Sequence, residues 1–239
     1  MRYVRSWSPA DPDADLVVVF PPAGSGCMRL RALAERQPAD RVVVGVQLPG
    51  REDRLAEPMP ALDDAVAAIA AELRALPRRR LGLIGISLGG LLAFAVARVL
   101  ERGQSSADQV CIAAARAPQF WRSYQAEPSA AEFDAMLGSG WRESPVGAYA
   151  AEVLRRDLRL AAGYDVGQAV LERTPLRTVA GRRDVVATEE QMRTWQTRSA
   201  RYRGQCVLDA SHQQFLDKDV LDPMIDEMFA RRRFRRNRA

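Results

Sequence analysis

The stretch that most constrains the fold is residues 81–97, which contain no charged side chain. It is nearly long enough to cross a membrane, but four glycines and Ser87 interrupt it. A short, continuous apolar run such as residues 81–85 is typical of a parallel strand that is covered on both faces. The stretch therefore predicts a buried strand, a tight turn at Ser87 and a helix over residues 88–102, and we expect no association with a membrane.

Strand-like apolar runs alternate with helical patterns along most of the chain, which predicts parallel strands joined by covering helices. The predicted strands are residues 16–20, 41–47, 81–85, 111–115, 176–180 and 205–208. Helical patterns between them include residues 28–37, 62–76 and 88–102. The fold class is therefore α/β, with a mostly parallel central sheet flanked by helices.

Between residues 119 and 169 the alternation lapses, and two helical segments, residues 130–137 and 147–164, stand where a strand would be expected. Such an insertion would lie over the carboxyl ends of the strands as a lid and help to shape a binding pocket. The alternative is a pair of ordinary packing helices. We expect one domain, residues 1–239, that includes this lid.

The three cysteines, Cys27, Cys111 and Cys206, are far apart and form no CxxC pattern. This spacing argues for a reducing compartment and against a zinc site. The N-terminal region offers only the short apolar run of residues 16–20, which is too brief for the core of a signal peptide. We therefore expect a cytoplasmic protein without a metal or a cofactor.

The formal net charge of +5 comes from an arginine-rich chain, and the basic excess peaks in residues 231–238. That run could bind an acidic partner, or it could be a disordered, solvated terminus. No recognised nucleic-acid-binding motif accompanies the charge, so we expect no nucleic-acid partner.

The sequence Gly85-Ile86-Ser87-Leu88-Gly89 matches the GxSxG pattern of a nucleophile elbow. A predicted strand before the motif and a predicted helix after it make this short match specific. The serine of an elbow sits in a strained turn, and bulky neighbours would clash with the adjoining backbone. Ser87 is thus the predicted nucleophile; the alternative is a serine that caps a buried helix.

Histidine occurs once, at His212, so the sequence offers no other histidine as the base that a serine nucleophile requires. Hydrolases with this elbow place the acid between the serine and the histidine along the chain, and Asp184 satisfies that order. The alternative for Asp184 is a surface residue paired with Arg182 or Arg183. Asp209 is the reserve candidate, but it lies only three positions before His212 on the same loop, a poor position from which to orient the imidazole.

Two backbone N–H groups are expected to stabilise the oxyanion of the reaction intermediate. One belongs to Leu88, the residue after the nucleophile. The other comes from the loop that follows the first predicted strand. Pro22 has no N–H, which leaves Ala23 or Gly24, and we expect Ala23 to be the donor.

Six segments together resemble the type II thioesterases of polyketide and nonribosomal peptide biosynthesis, which have the α/β-hydrolase fold. They are Phe20-Pro21-Pro22-Ala23-Gly24, Gln47-Leu48-Pro49-Gly50-Arg51-Glu52-Asp53-Arg54-Leu55, Gly85-Ile86-Ser87-Leu88-Gly89, Arg116-Ala117-Pro118, Gly181-Arg182-Arg183-Asp184 and Ser211-His212-Gln213-Gln214-Phe215-Leu216. Arg156-Asp157-Leu158 with Tyr164 is similar to the lid region of that family. The resemblance implies hydrolysis of acyl groups from the phosphopantetheine arm of acyl or peptidyl carrier proteins, in editing or in product release.

The chain departs from the pattern of that family at two positions. The family usually has histidine where Pro22 stands and histidine where Ile86 stands. The floor of the pocket is therefore expected to be more apolar, which affects substrate preference and rate but leaves Ser87, Asp184 and His212 in place.

Carrier proteins are typically acidic, so Arg51 and Arg54 could help to steer them towards the enzyme. The alternative is a loop held by salt bridges from these arginines to Glu52 and Asp53. Two other functions remain open from the sequence: an esterase or acyltransferase that acts on small molecules, since the same three residues serve that chemistry, and a carrier-binding module without turnover.

Overall fold

The computed structural model describes residues 3–125 and 128–229. The arginine-rich run of residues 231–238, and with it the question of an acidic partner for that run, lies outside the described residues. The single domain of residues 1–239 stays a prediction. No helix in the described ranges is both long enough and apolar enough to span a bilayer.

Within the described residues, seven strands form one sheet in the order β1-β3-β2-β4-β5-β6-β7. Strand β1 runs antiparallel to β3, and every other neighbouring pair is parallel. The predicted mostly parallel sheet is therefore confirmed. The strands are β1 (Val4–Ser6), β2 (Asp15–Phe20), β3 (Arg41–Val46), β4 (Arg80–Ile86), β5 (Gln109–Ala113), β6 (Leu176–Gly181) and β7 (Tyr202–Leu208).

All six predicted strands are found, and the sequence analysis missed only β1 among the described strands. Strand β1 has three residues and no apolar run, so it carries no local signal. Its edge position is secured from the second helix, α2 (Leu62–Ala75), because the Glu72 carboxylate accepts hydrogen bonds from the N–H groups of Tyr3 and Val4, both at 2.9 Å.

Seven α-helices of the described residues cover the sheet and its carboxyl edge. They are α1 (Arg31–Glu35), α2 (Leu62–Ala75), α3 (Leu88–Arg102), α4 (Ala130–Leu137), α5 (Pro145–Gly163), α6 (Glu189–Arg193) and α7 (Lys218–Asp226). Helix α1 is shorter than the predicted residues 28–37, because its first turn, Met28–Leu30, is a 3-10 turn. Its far end is limited by Pro38, since a residue that precedes proline disfavours the helical conformation.

Side chains of β2 alternate between two apolar cores, one on each face of the sheet. Val18 packs in the core that includes α2 and α3, whereas Val17 and Val19 pack in the core that includes α1 and α7. All three valines are fully buried, and burying such a side chain stabilises the fold by about 1.5–3 kcal/mol. Burial on both faces explains why the central strands read as continuous apolar runs.

The parallel strands share one carboxyl edge, and the insertion between β5 and β6 lies over it. This insertion contains α4 and α5, where helices are predicted over residues 130–137 and 147–164. Met136 and Leu137 of α4 and Leu154 of α5 line a cavity that also contains Ser87 at the end of β4. The two helices thus cover the edge as a lid does, rather than packing elsewhere on the sheet.

Candidate active site

Ser87 occupies a sharp turn between β4 and α3, with φ of 53° and ψ of −120°. A positive φ is strained for a residue with a side chain, and surrounding structure must hold it. A β-carbon on Gly89 would overlap the carbonyl oxygen of Phe20, and one on Gly85 would overlap the carbonyl oxygen of Gly89. The turn therefore requires both glycines, and the Ser87 side chain makes no capping hydrogen bond to α3.

Three side chains that are distant in sequence form one hydrogen-bonded chain beneath the lid. The Nε2 atom of His212 lies 3.2 Å from the Oγ of Ser87, and its Nδ1 atom lies 2.9 Å from Oδ2 of Asp184. Exposure is 4% for Ser87, 4% for Asp184 and 7% for His212. The structure thus brings together all three residues that the sequence predicts as nucleophile, acid and base.

Asp184 is not a surface residue paired with Arg182 or Arg183, so that alternative is wrong. Its Oδ1 accepts hydrogen bonds from the N–H groups of Val186 at 2.8 Å and Ala187 at 2.9 Å, while Oδ2 faces His212. The reserve candidate, Asp209, has a side chain that is 78% exposed and makes no hydrogen bond to His212 among the described contacts.

The loops that carry Asp184 and His212 are tied to each other at the carboxyl ends of β6 and β7. The Arg183 side chain donates to the Asp209 carboxylate at 2.9 Å and to Oε1 of Gln214 at 3.1 Å. His212 opens a 3-10 turn that is capped by Ser211 and Gln214. Asp209 therefore serves as an exposed partner of Arg183, and Asp184 keeps the contact with the imidazole.

The N–H of Leu88 lies at the first residue of α3, where helix N–H groups have no partner within the helix. In the loop after β2, the N–H of Gly24 donates to Oδ2 of Asp157 at 3.0 Å and is therefore engaged. Within residues 3–125 and 128–229, neither Ala23 nor Leu88 uses its N–H in a bond to another backbone or side-chain group. Of the two candidates in this loop, Ala23 is the one whose N–H is available.

A cavity of about 360 Å³ opens onto Ser87 and His212. Pro22 and Ile86, the two departures from the family pattern, both line it. The remaining lining residues come from the loop after β2, the lid and the turn of His212: Ala23, Gly24, Ser25, Arg29, Met136, Leu137, Leu154, Ser211, Gln213, Gln214, Leu216 and Asp217.

Sequence analysis assigned no role to Arg29 and Gln213, two residues that line this cavity. Arg29 is exposed at its edge and forms no ion pair within the described part of the chain. Gln213, next to His212, reaches α4 and donates to the carbonyl oxygens of Asp134 at 2.9 Å and Ala135 at 3.2 Å. No local sequence pattern marks either residue, because only the fold brings them to the cavity.

Arg51 and Arg54 are buried, with 3% exposure each, so the prediction that they form a surface for steering an acidic partner is wrong. Their predicted salt bridges to Glu52 and Asp53 are also absent among the described contacts. Instead, Arg51 makes a two-bond ion pair with Asp157 of α5, with both distances 2.7 Å.

Arg54 has different partners from Arg51. It donates to the carbonyl oxygen of Gln47 and to the Glu57 carboxylate, both at 2.7 Å, and its guanidinium lies 4.9 Å from the centre of the Tyr3 ring. The two arginines therefore stabilise the loop after β3 through different contacts.

The cysteines contribute no group to the site. Burial raises the pKa of Cys27 to about 12 and that of Cys111 to about 11, and Cys206 is exposed on β7. Across the described ranges, no group of three or more His, Cys, Asp or Glu side chains is arranged to hold a metal ion.

Comparison with known proteins identifies relatives of this arrangement. Residues 16–228 match the family model of the thioesterase domain. The chain is 29% identical over 197 residues to the AMB antimetabolite synthetase AmbE of Pseudomonas aeruginosa, a match that covers 78% of this chain and 9% of AmbE. The chain thus spans only a small part of that relative.

Two solved structures superpose on nearly the whole chain. RedJ, a thioesterase from the prodiginine biosynthetic pathway in Streptomyces coelicolor, is 28% identical with a TM-score of 0.76, over 92% of this chain and 87% of RedJ. BorB, a type II thioesterase from the borrelidin biosynthetic cluster, is 24% identical with a TM-score of 0.78, over 95% of this chain and 97% of BorB. The similarity to BorB concerns the fold, which is the α/β-hydrolase fold of these thioesterases.

Proposed function

The chain belongs to the thioesterase domain family and is a serine hydrolase, and we propose that it cleaves acyl thioesters from the phosphopantetheine arm of acyl or peptidyl carrier proteins, as a type II thioesterase of polyketide or nonribosomal peptide biosynthesis. The observation that carries the proposal is the hydrogen-bonded chain from Ser87 through His212 to Asp184 in a cavity under the lid. A role in biosynthesis is supported by the similarity to RedJ, a thioesterase from the prodiginine biosynthetic pathway.

In the first half of the reaction, Oγ of Ser87 attacks the thioester carbonyl while Nε2 of His212 accepts the hydroxyl proton. Asp184 holds Nδ1 of the imidazole and stabilises the imidazolium that forms. The oxyanion of the tetrahedral intermediate accepts hydrogen bonds from the N–H groups of Ala23 and Leu88. One such donor typically contributes about 10²–10³-fold in kcat.

Collapse of this intermediate breaks the carbon–sulfur bond, and His212 returns its proton to the departing thiolate. The acyl group is then an ester of Ser87. A water molecule that loses a proton to Nε2 of His212 attacks this ester, and a second tetrahedral intermediate is stabilised in the same way. Its collapse releases the free acid and restores the hydroxyl of Ser87.

The apolar part of the cavity lining supports an apolar acyl group near Ser87. Met136, Leu137 and Leu154 approach from the lid, and Pro22 and Ile86 add apolar surface where a histidine pair would be polar. We therefore expect acyl chains without a polar group close to the carbonyl to be hydrolysed faster than hydroxylated ones, because the latter would lose hydrogen bonds to water without replacement.

The decisive experiment follows an acylated carrier protein by mass spectrometry in the presence of the wild-type enzyme or of Ser87→Ala. Acetyl, branched, long-chain and 3-hydroxyacyl groups are compared on the same carrier. We expect loss of the acyl mass with the wild type alone. An organophosphonate probe provides the control, since it should label the wild type at Ser87 and leave the variant unmodified.

Two outcomes would contradict the proposal. An acyl carrier that stays intact with a wild-type enzyme whose Ser87 reacts with the probe would indicate an esterase or acyltransferase of small molecules. An intact carrier together with an unreactive Ser87 would indicate a binding module without turnover.

A further inference from the structure

Three separate elements meet at Asp157, a buried residue of the lid helix α5. Its Oδ2 accepts the N–H of Gly24 at 3.0 Å, and its two oxygens accept two hydrogen bonds from Arg51, both at 2.7 Å. Arg51 also donates to the carbonyl oxygen of Ser25 at 3.1 Å. The oxyanion loop, residues 22–25, is therefore held at two consecutive residues by one side chain from the lid and one from the loop after β3.

The lid helix also touches this loop directly. Gly24 has φ of +76°, and a β-carbon on it would lie 3.1 Å from Cβ of Leu154 and 3.3 Å from the carbonyl oxygen of Ala150. Leu154 lines the cavity, and Asp157 lies on the next turn of the same helix face. The surface of α5 that lines the cavity is thus continuous with the surface that holds the oxyanion loop.

An ion pair in this position is a poor source of stability. The side chains of Arg51 and Asp157 are 3% and 0% exposed. The free-energy cost of removing two charges from water is as large as the gain from their attraction, unless the two groups make further hydrogen bonds. Here two of the further hydrogen bonds go to the backbone of the oxyanion loop, at Gly24 and Ser25, and a weaker one from Nε of Arg51 goes to the carbonyl oxygen of Pro49 at 3.4 Å. The pair therefore fixes geometry, and the geometry that it fixes belongs to the residues next to Ala23.

We propose that Arg51 and Asp157 are positioning residues for the Ala23 N–H. The position of α5 then determines how strongly the oxyanion hole stabilises the oxyanion. An N–H stabilises an oxyanion only within a narrow range of distance, and a displacement of about 1 Å can cost about 10²-fold in rate. The inference rests on the proposed function, because Ala23 has this role only if Ser87 attacks a carbonyl.

The test replaces the ion pair by apolar side chains of similar size, Arg51→Met with Asp157→Leu. Apolar replacements of buried ion pairs often retain stability, so this double variant separates folding from positioning. We expect a midpoint of urea unfolding near that of the wild type, a kcat about 10–100-fold lower, and a KM for the acyl carrier that changes little. A double variant that keeps both the stability and the kcat of the wild type would overturn the proposal.

Two milder variants keep the test valid if the double variant fails to fold. The lysine of Arg51→Lys can pair with Asp157, but it lacks the planar guanidinium that reaches Asp157 and Ser25 together. Asp157→Asn removes the negative charge and keeps nearly the same side-chain shape. Each should lower kcat, Arg51→Lys less than the double variant. Arg54→Lys is the matched control: Arg54 is equally buried in the same loop, but it bonds to Gln47 and Glu57. An equal loss of kcat in Arg54→Lys would show that the effect comes from the loop in general.

A pair of inhibitors reports on the oxyanion hole itself. Oγ of Ser87 adds to the carbonyl of a pantetheine trifluoromethyl ketone, and the oxyanion that results lies in the oxyanion hole. A pantetheine thioether has no carbonyl and forms no oxyanion. We expect the Ki of the ketone to rise in proportion to the loss of kcat and the Kd of the thioether to stay constant. Equal weakening of both inhibitors would assign Arg51 and Asp157 to the shape of the cavity and overturn the proposal.

The rate at which an organophosphonate labels Ser87 distinguishes failure of this inference from failure of the proposed function. Labelling needs the oxyanion hole but no carrier protein. A slower labelling rate in the double variant supports the positioning role even if no carrier thioester is cleaved by the wild type. An unchanged rate overturns it whatever the substrate proves to be.

Discussion

Oδ2 of Asp184 lies 2.9 Å from Nδ1 of His212, while Oδ1 of the same carboxylate accepts two backbone hydrogen bonds. The carboxylate cannot rotate away from the imidazole without breaking the bonds to Val186 and Ala187. This arrangement favours the tautomer with the proton on Nδ1, which leaves the lone pair of Nε2 directed at the hydroxyl of Ser87, 3.2 Å away.

Replacing Asp184 by asparagine should remove most of the activity while retaining the fold. The amide oxygen can still accept the bonds from Val186 and Ala187, so the amide nitrogen then faces Nδ1 of His212. That contact favours the wrong tautomer, and we expect kcat to fall by roughly 10⁴-fold. Steady-state kinetics on an acyl carrier protein, with unfolding by urea measured in parallel, test this.

Asp209→Asn is the matched control for that variant. Asp209 follows β7 on the loop of His212, but its side chain is 78% exposed and pairs with Arg183. We expect kcat within about twofold of the wild type, because exposed ion pairs contribute little. A large loss of kcat in Asp209→Asn and a small loss of kcat in Asp184→Asn would show that Asp209, and not Asp184, orients the imidazole.

Gly89→Ala should prevent correct formation of the nucleophile elbow. A β-carbon at Gly89 overlaps the carbonyl oxygen of Phe20, which is backbone and cannot move aside as a flexible side chain could. We expect destabilisation of at least about 1–3 kcal/mol, the usual cost of overpacking, together with loss of Ser87 labelling. Urea unfolding and phosphonate labelling measure the two effects.

Gly163→Ala is the control for the substitution itself. Gly163 is the last residue of α5 and has open space where a β-carbon would lie. Alanine is favoured over glycine in helices by up to about 1 kcal/mol, so this variant should be neutral or slightly more stable. If both variants were equally destabilised, the steric explanation for Gly89 would be wrong.

The residues of the site that sequence analysis found share a local signal. Ser87 lies in a spaced glycine motif between a strand and a helix, His212 is the only histidine, and Asp184 follows a strand in the required order. The apolar runs of the central strands are similarly local, because each is buried on both faces. Strand β1 had no such run, and its place depends on hydrogen bonds from Tyr3 and Val4 to Glu72.

The contacts of Arg51 could not be derived in the same way. Its partner Asp157 is 106 positions away in sequence, whereas Glu52 and Asp53 are adjacent and therefore look like natural partners. In the folded chain Glu52 has a positive φ of 48° and accepts the N–H of Met28, and Asp53 pairs with Arg5 at 2.6 Å. The path of the backbone, which no short pattern encodes, decides which carboxylate an arginine reaches.

Thiol reactivity in the native protein should be confined to Cys206. Burial raises the pKa of Cys27 to about 12 and that of Cys111 to about 11, so both remain protonated and shielded near neutral pH. Burial also raises the pKa of Cys206, but that thiol is exposed. A maleimide at pH 7.5 should therefore add one label, found at Cys206, and three labels in urea. A label on Cys27 in the native protein would contradict this.

Acid should weaken the fold partly through Asp15, at the start of β2. Burial alone would raise the pKa of Asp15, but hydrogen bonds from Arg80 and Arg79 outweigh burial and hold the pKa at about 2, below its ordinary 3.8. Because the pKa is lower in the folded state, the carboxylate stabilises the fold above pH 4, and this contribution is lost as the pH falls towards 2.

Asp15→Asn measures that contribution. Urea midpoints of the wild type and the variant should differ at pH 6, and the difference should shrink between pH 4 and pH 2. Asp226→Asn is the control, because Asp226 is 69% exposed where it pairs with Arg41 and should have little effect at any pH. A difference between wild type and Asp15→Asn that stayed constant down to pH 2 would contradict the assignment.

Arg29 should recognise the phosphate of the substrate arm at the edge of the cavity. It is exposed, and no carboxylate within the described ranges forms an ion pair with it, so its charge is available to an anionic substrate. Arg29→Ala should raise KM for an acyl phosphopantetheine about 2–5-fold, with kcat unchanged, and leave KM for the acyl pantetheine without phosphate unaltered. Salt should reduce the difference in KM between the two substrates in the wild type.

Arg31→Ala is the matched control, because Arg31 is exposed on the adjoining helix α1 but already pairs with Glu35 at 2.7 Å. If Arg29→Ala raised KM equally for both substrates, the phosphate would not be its target, and the side chain would contribute to the shape of the cavity entrance instead.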